Sequence, residues 1–225
     1  TYLTLLKACI EMRCLGRVRE LHFDIIKEGH ENDSFVPSTL VDVYMKIGLP
    51  IEALSVFEEV QDKDVFVWTA LIGGYSEKGL NEEALNCFKQ MQWDGFSPNE
   101  VTLLCILNAC SHSRQLDVAQ TYYTDMSSKY GIMPHAEHHT CMVVMLGYLG
   151  NFDKAISIIK TMPSSKDPSV WLALLATCRK WENIKVAKLV FNEAIQLDCD
   201  FTQAYVLLSS IYAAVGMHED AKKVK

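Results

Sequence analysis

The chain has 225 residues, 49% hydrophobic and 22% charged, with a net charge of −7. This is an ordinary composition for a soluble globular protein, and the chain shows neither a signal peptide nor a run of 18 apolar residues that could cross a membrane. Residues 1–135 carry 11 Lys+Arg against 19 Asp+Glu, and residues 136–225 carry 10 against 9. The first part therefore lacks the clustered basic side chains of non-specific phosphate binding, which counts against nucleic acid unless base edges are the target.

Apolar residues recur at helical spacing along nearly the whole chain. Residues 3–12 and 15–27 form a predicted helix pair that stops at Gly29. Residues 36–46 and 51–60 form a second, separated by Gly48-Leu49-Pro50. Proline suits the first turn of a helix, where its missing N–H costs nothing. Residues 65–99 show the pattern most plainly: Val67, Trp68, Leu71, Ile72 and Tyr75 make one stripe, and Gly79 supplies the stop. Asn81 is placed to cap the following helix, with Glu82 and Glu83 in its first turn and Ala84, Leu85, Phe88 and Met91 on its apolar face. Helices over 101–111 and 116–129 come next, then a pair broken at Gly150 and closed by Met162-Pro163. Pro168 opens another pair, and Ala204, Leu207, Leu208, Ile211, Tyr212 and Gly216 begin one more. The chain starts at Thr1 inside a helical pattern and stops inside another, so a segment of a longer protein is expected.

These pairs are copies of one unit. Ala84, Phe88 and Met91 reappear as Ala119, Tyr123 and Met126, then as Ala155, Ile159 and Met162, then as Ala187, Phe191 and Ala194; upstream they are Ala53, Phe57 and Val60. The small residue lets the two helices of a hairpin approach, and the larger ones fill the groove toward the next unit. A period near 35 residues predicts an all-α fold, an α-solenoid of helix-turn-helix repeats held by nearest-neighbour contacts. Unit length alternates between short and long.

The same register absorbs the cysteines. Cys9, Cys110 and Cys178 hold a place taken elsewhere by Tyr44 and Tyr75, which suits a small buried hydrophobe. No Cys-x-x-Cys pair is present, so structural thiols in a reducing compartment are expected, with no metal and no cofactor. His135-Ala136-Glu137 matches half of a zinc-deaminase signature, but no Pro-Cys-x-x-Cys follows. His135, His138 and His139 have no cysteine or acidic residue at metal-ligand spacing, and Asn32-Asp33-Ser34 is a sequon without secretory context. No phosphate loop, nucleophile elbow or triad is recognisable, so no enzyme activity and no small-molecule substrate are expected.

The alternation and the motifs resemble the PLS class of plant pentatricopeptide repeat (PPR) proteins with a C-terminal E extension. The likeness rests on residues 65–99 ending in Pro98-Asn99, on Leu107-Asn108-Ala109-Cys110-Ser111-His112 and Tyr130-Gly131-Ile132-Met133-Pro134, and on Val170-Trp171-Leu172-Ala173-Leu174-Leu175 with Tyr205-Val206-Leu207-Leu208-Ser209-Ser210. It implies a partial long repeat over residues 1–33, a short one over 34–64, a standard one over 65–99, a long one over 100–135, a short one over 136–167, and E-type repeats over 168–200 and 201–225.

The resemblance further implies single-stranded RNA binding, one base per repeat, read by the fifth and last residues of a unit. These are Ser38 with Asp64, Thr69 with Asn99, and Thr140 with Asp167, while the second residues Phe35, Phe66 and Val101 would sandwich bases. Guanine presents N–H donors on its pairing edge, so Asp64 and Asp167 suit G; adenine presents an acceptor at N1, so the Asn99 amide suits A. In the family the RNA runs 5′ to 3′ along the repeats. Leu3 and Leu104 stand at fifth positions of long units and read nothing, and Glu137 replaces a sandwiching residue before Thr140. The implied role is choice of C-to-U editing sites in a mitochondrion or chloroplast. Its partners would be a DYW-type deaminase, fused or recruited, and MORF-type proteins on the long units. The same side chains also read as plain helix caps and turn formers. The competing function is a tetratricopeptide-like protein–protein scaffold.

Overall fold

The computed structural model describes residues 2–224 except 13, 32, 34, 163–166 and 200. Pro163 of the predicted terminator, and Asn32 and Ser34 of the sequon, lie outside the described residues. Among the described residues every regular element is an α-helix. In order these are α1 (Tyr2–Met12), α2 (Leu15–Lys27), α3 (Val36–Ile47), α4 (Pro50–Glu59), α5 (Val65–Glu77), α6 (Asn81–Trp93), α7 (Glu100–Ser113) and α8 (Leu116–Ser128). They continue with α9 (Ala136–Tyr148), α10 (Phe152–Thr161), α11 (Pro168–Trp181), α12 (Ile184–Leu197), α13 (Thr202–Ala214) and α14 (His218–Lys223). The architecture is an α-solenoid of helical hairpins. It divides into two units, Thr1–Ser113 with Thr121–Ile132 and Arg114–Gln120 with Met133–Lys225.

In the first unit α1, α3, α5 and α7 pack side by side, and α2, α4 and α6 each return against their own partner. The stripe read from sequence is the packed one: Val67, Trp68, Leu71 and Ile72 are buried on α5, and Ala84, Leu85, Phe88 and Met91 on α6. Each hairpin alone would leave one apolar face wet, so the stack, rather than a single centre, supplies the core.

Close approach is enforced at one point of this stack. A Cβ on Gly74 would lie 2.2 Å from Met45 Cγ and 2.6 Å from Met45 Cβ, so α3 and α5 meet where α5 has no side chain. Neighbouring hairpins also cap one another: Lys78 Nζ, just past α5, donates to the Lys46 carbonyl near the end of α3 at 3.1 Å. A cation there meets the negative end of the helix dipole.

The second unit repeats these devices. Helices α9, α11 and α13 pack in succession, with α10, α12 and α14 against them. Its core holds Leu146, Ile159, Trp171, Leu174, Phe191 and Ile211. A Cβ on Gly147 would lie 2.2 Å from Thr177 Oγ1. Lys180 Nζ donates to the Tyr148 carbonyl at 2.8 Å and Trp181 Nε1 to the Gly147 carbonyl at 3.0 Å, again closing the end of the preceding helix.

One expectation needs correction. Asn81 does not cap α6; it is the first residue of the helix, and Leu80 holds the cap position. Gly79 (φ 73°) ends α5 in a turn where the Leu80 N–H bonds the Tyr75 carbonyl at 2.9 Å, while the Leu80 carbonyl accepts from Ala84 at 3.0 Å. Leu80 thus closes one helix and opens the next, which leaves no room for a capping Asn81. The other predicted helix ends fall within two residues of those observed, and α2 coincides.

Candidate nucleic-acid interface

In the first unit Ser38 and Asp64 line one cavity, and Thr69 and Asn99 line another. Asp64 caps α5: its Oδ1 accepts the N–H groups of Phe66 and Val67, both at 2.9 Å. Asn99 does the same for α7, its Oδ1 accepting the Thr102 N–H at 2.8 Å and the Thr102 hydroxyl at 2.9 Å. Thr69 lies on the adjoining first helix, with its Oγ1 2.6 Å from Thr102 Oγ1.

Two small cavities in the first unit gather the candidates. One, of about 300 Å³, is lined by Ser38, Phe66, Thr69, Asn99 and Val101 together with Lys7, Thr39, Asp42 and Ala70. The other, of about 190 Å³, is lined by Phe35, Ser38 and Asp64 together with Asp33, Pro37, Val60, Gln61, Asp62 and Val67. Ser38 belongs to both, and its hydroxyl donates to the Phe35 carbonyl at 3.1 Å. All seven first-unit candidates therefore line one or the other of two cavities that share Ser38. Apolar Phe35, Phe66 and Val101 stay 54%, 48% and 50% exposed.

The sandwich itself is not open. The Phe35 and Phe66 rings stand edge to face with centroids 5.5 Å apart. A planar base between two faces needs about 7 Å, two contacts of roughly 3.5 Å each, so these rings must part to admit one. Phe35 also holds a left-handed backbone (φ 68°), which is costly for a bulky residue. The groove's charge is muted as well, since Asp42 pairs with Lys46 at 2.9 Å.

Thr140 and Asp167 are arranged differently in the second unit. The Thr140 hydroxyl donates back to the Ala136 carbonyl at 2.8 Å, and Asp167 caps α11 through the Ser169 N–H at 2.9 Å. Exposed Glu137 stands where the first unit has an apolar platform. A cavity of about 520 Å³ lies instead between α11 and α13, walled by Leu172, Ala173, Ala176, Val206 and Leu207 with Ser169, Thr202, Gln203 and Ser210. Neither Thr140 nor Asp167 lines it.

Cys110, Cys178, His22 and His135 line none of these cavities. Burial pushes the Cys110 thiol up to about 11 and the Cys178 thiol to about 12, so both stay protonated at neutral pH. Burial also lowers the His22 pKa, against an opposing pull from Glu59; its ring Nδ1 meets the Tyr44 hydroxyl at 3.0 Å. His135 opens α9, where its N–H bonds His138 Nδ1 at 3.2 Å, so the short His-x-Glu match is a helix start. No group of three or more metal-ligating side chains is gathered among the described residues.

Sequence reasoning missed Thr102. It is fully buried and ties Asn99 to Thr69. The available signal was the Asn99-x-x-Thr102 spacing at a helix start, the spacing of reciprocal capping.

Comparison with known proteins follows the same lines. The pattern of the PPR repeat family matches residues 63–112, and that of a PPR repeat matches residues 36–65. The chain is 33% identical, over its whole length, to the pentatricopeptide repeat-containing protein At2g13600 of Arabidopsis thaliana, of which it spans 33%. Over 98% of its length it is 36% identical to At2g42920, chloroplastic, from the same plant, of which it spans 40%. Among solved structures, the pentatricopeptide repeat protein PPR10 in complex with an 18-nt psaJ RNA element matches the whole chain with a TM-score of 0.74 at 14% identity, over 39% of that protein's chain. At that identity the likeness concerns the fold.

Proposed function

The chain is a pentatricopeptide repeat protein of plant type, and from that premise we propose that it binds single-stranded RNA, reading one base per repeat at two or three of its repeats. The observation that supports this most strongly is the pair of cavities in the first unit, joined at Ser38, whose linings combine hydroxyl, amide and carboxylate tips with exposed apolar platforms. Such linings offer base edges a hydrogen-bond partner and base faces a stacking surface. Ser38 with Asp64 takes G, and Thr69 with Asn99 takes A. Thr140 with Asp167 prefers G more weakly, since Glu137 spoils the platform beside it. The repeats proposed run over residues 1–33, 34–64, 65–99, 100–135, 136–167, 168–200 and 201–225.

In the whole protein this segment specifies sites for C-to-U editing of transcripts in a mitochondrion or chloroplast. A DYW-type deaminase supplies the chemistry, and MORF-type partners sit on the long repeats. The name of one relative, chloroplastic, supports the location. PPR10 held with an RNA element supports the ligand class.

The test is RNA binding by the Asn99→Asp variant against RNAs that differ at one base. Both residues cap a helix equally well, so the fold is kept while the group facing the groove turns from donor to acceptor. Preference moves from A toward G at one position. An unchanged preference in a protein that binds RNA refutes the assignment. A second reading, protein–protein docking, is favoured for residues 168–225 alone by the apolar cavity between α11 and α13, whose walls offer few groups to a base edge. Deleting RNA binding while retaining a protein partner would support it.

A further inference from the structure

Thr102 sits fully buried in the first turn of α7, three residues past Asn99. A threonine hydroxyl has one hydrogen to give and two lone pairs to offer. Here all three are engaged. The hydroxyl donates to Asn99 Oδ1 at 2.9 Å, accepts the Asn99 backbone N–H at 3.3 Å, and meets Thr69 Oγ1 at 2.6 Å. Its own hydrogen being given to Asn99, the Thr69 hydroxyl must be the donor in that last contact. The Thr102 backbone N–H adds a second bond to Asn99 Oδ1, at 2.8 Å.

Two consequences follow for the groove that Thr69 and Asn99 line. Asn99 Oδ1 accepts both the Thr102 N–H, a donor that cannot turn, and the Thr102 hydroxyl, so turning the amide over would lose the hydroxyl bond and set the N–H against its NH₂ group. That group is left as the part of the amide available to a ligand. The Thr69 hydrogen is drawn inward, so Thr69 offers lone pairs only. We infer that Thr102 is the positioning residue that sets the base preference of this pair, by fixing a donor on Asn99 beside an acceptor on Thr69. Adenine matches that arrangement, with its N1 acceptor next to its N6 amino donor. Guanine, whose ring nitrogen carries a hydrogen, sets a donor against the Asn99 amide. The inference rests on the RNA reading proposed above and names the residue that makes it selective.

The experiment is selection from a randomised single-stranded RNA pool by the intact protein, comparing wild type with Thr102→Val, Thr102→Ser and Asn99→Asp. Valine keeps the shape and removes the hydroxyl. At the position that Asn99→Asp shifts, Thr102→Val lowers the A-over-G ratio about tenfold, roughly one hydrogen bond's worth, and Thr102→Ser restores it. Neighbouring positions keep their preferences. A Thr102→Val protein with an unaltered ratio overturns the inference, even if it binds more weakly overall, provided Asn99→Asp still shifts that position. If Asn99→Asp shifts nothing, the base reading itself fails and this inference with it. Should valine prevent folding, Thr102→Cys, a much weaker donor, carries the same expectation, and an unaltered ratio there is equally fatal.

Discussion

Asp64 holds two jobs that substitutions can separate. One carboxylate oxygen takes both the Phe66 and Val67 N–H groups at 2.9 Å, capping α5, and the side chain also borders the small cavity with Ser38 and Phe35. Asparagine caps as well as aspartate, so Asp64→Asn changes stability by a few tenths of a kcal/mol at most, whereas Asp64→Ala costs about 1 kcal/mol. The effect on RNA divides differently. In Asp64→Asn the oxygen is held by the cap, so the new NH₂ faces the groove and meets the guanine N–H donors head on. The charge-assisted bond lost is worth about 1.5–3 kcal/mol, a ten- to hundredfold weakening for G, with A gaining in return. Asp64→Ala loses G without gaining A. Thermal melts and fluorescence anisotropy on RNAs differing at one base read both effects. If Asp64→Asn keeps its G preference, or destabilises as much as alanine, the two-job account is refuted.

Gly74→Ala gains about 0.5–1 kcal/mol of helix propensity, but the new Cβ would lie 2.6 Å from Met45 Cβ, an atom fixed to its backbone. Overpacking at about 1–3 kcal/mol wins, so urea unfolding gives a net loss of stability; a gain would show that α3 and α5 are not held so close. Asp42→Asn releases Lys46 from its 2.9 Å pair at the groove. RNA binding strengthens at low salt and its salt dependence steepens by about 0.7, one phosphate contact on a single strand; an unchanged slope counts against the groove. His22 has its pKa lowered by burial, so the unfolded chain binds its proton first. The stability this contributes is complete above the ordinary histidine range and declines as pH falls through about 6.5. His22→Gln therefore flattens the loss of Tm between neutral and mildly acidic pH, and an unaltered pH profile would exclude the residue as its source.

The hairpins were legible because two signals agree. Apolar stripes give the buried faces, and glycines such as Gly79 give the ends, as on α5, where the predicted Val67, Trp68, Leu71 and Ile72 are buried. Asn81 misled because capping chemistry was read one residue at a time, while Leu80 serves two helices through its own backbone. Ser38, Thr69 and Asn99, positions that the resemblance to the repeat family implied, line one cavity. What register could not give is contact between side chains of different hairpins. The edge-to-face closure of Phe35 on Phe66 and the buried link from Thr69 through Thr102 to Asn99 depend on how far apart neighbouring helices settle. The apolar cavity between α11 and α13 is of the same kind, since Leu172 and Val206 are distant in sequence and become neighbours only in the stack.

The most direct measurement is a reciprocal exchange, Asp64→Asn together with Asn99→Asp, assayed by the bases recovered from a randomised single-stranded RNA pool. Each cap keeps its oxygen, so the stack is preserved while the two readers trade chemistry. With the strand running 5′ to 3′ along the repeats, the wild type selects G followed by A at adjacent positions, and the exchanged protein selects A followed by G. Recovery of the same two bases in the same order by both proteins would contradict the account.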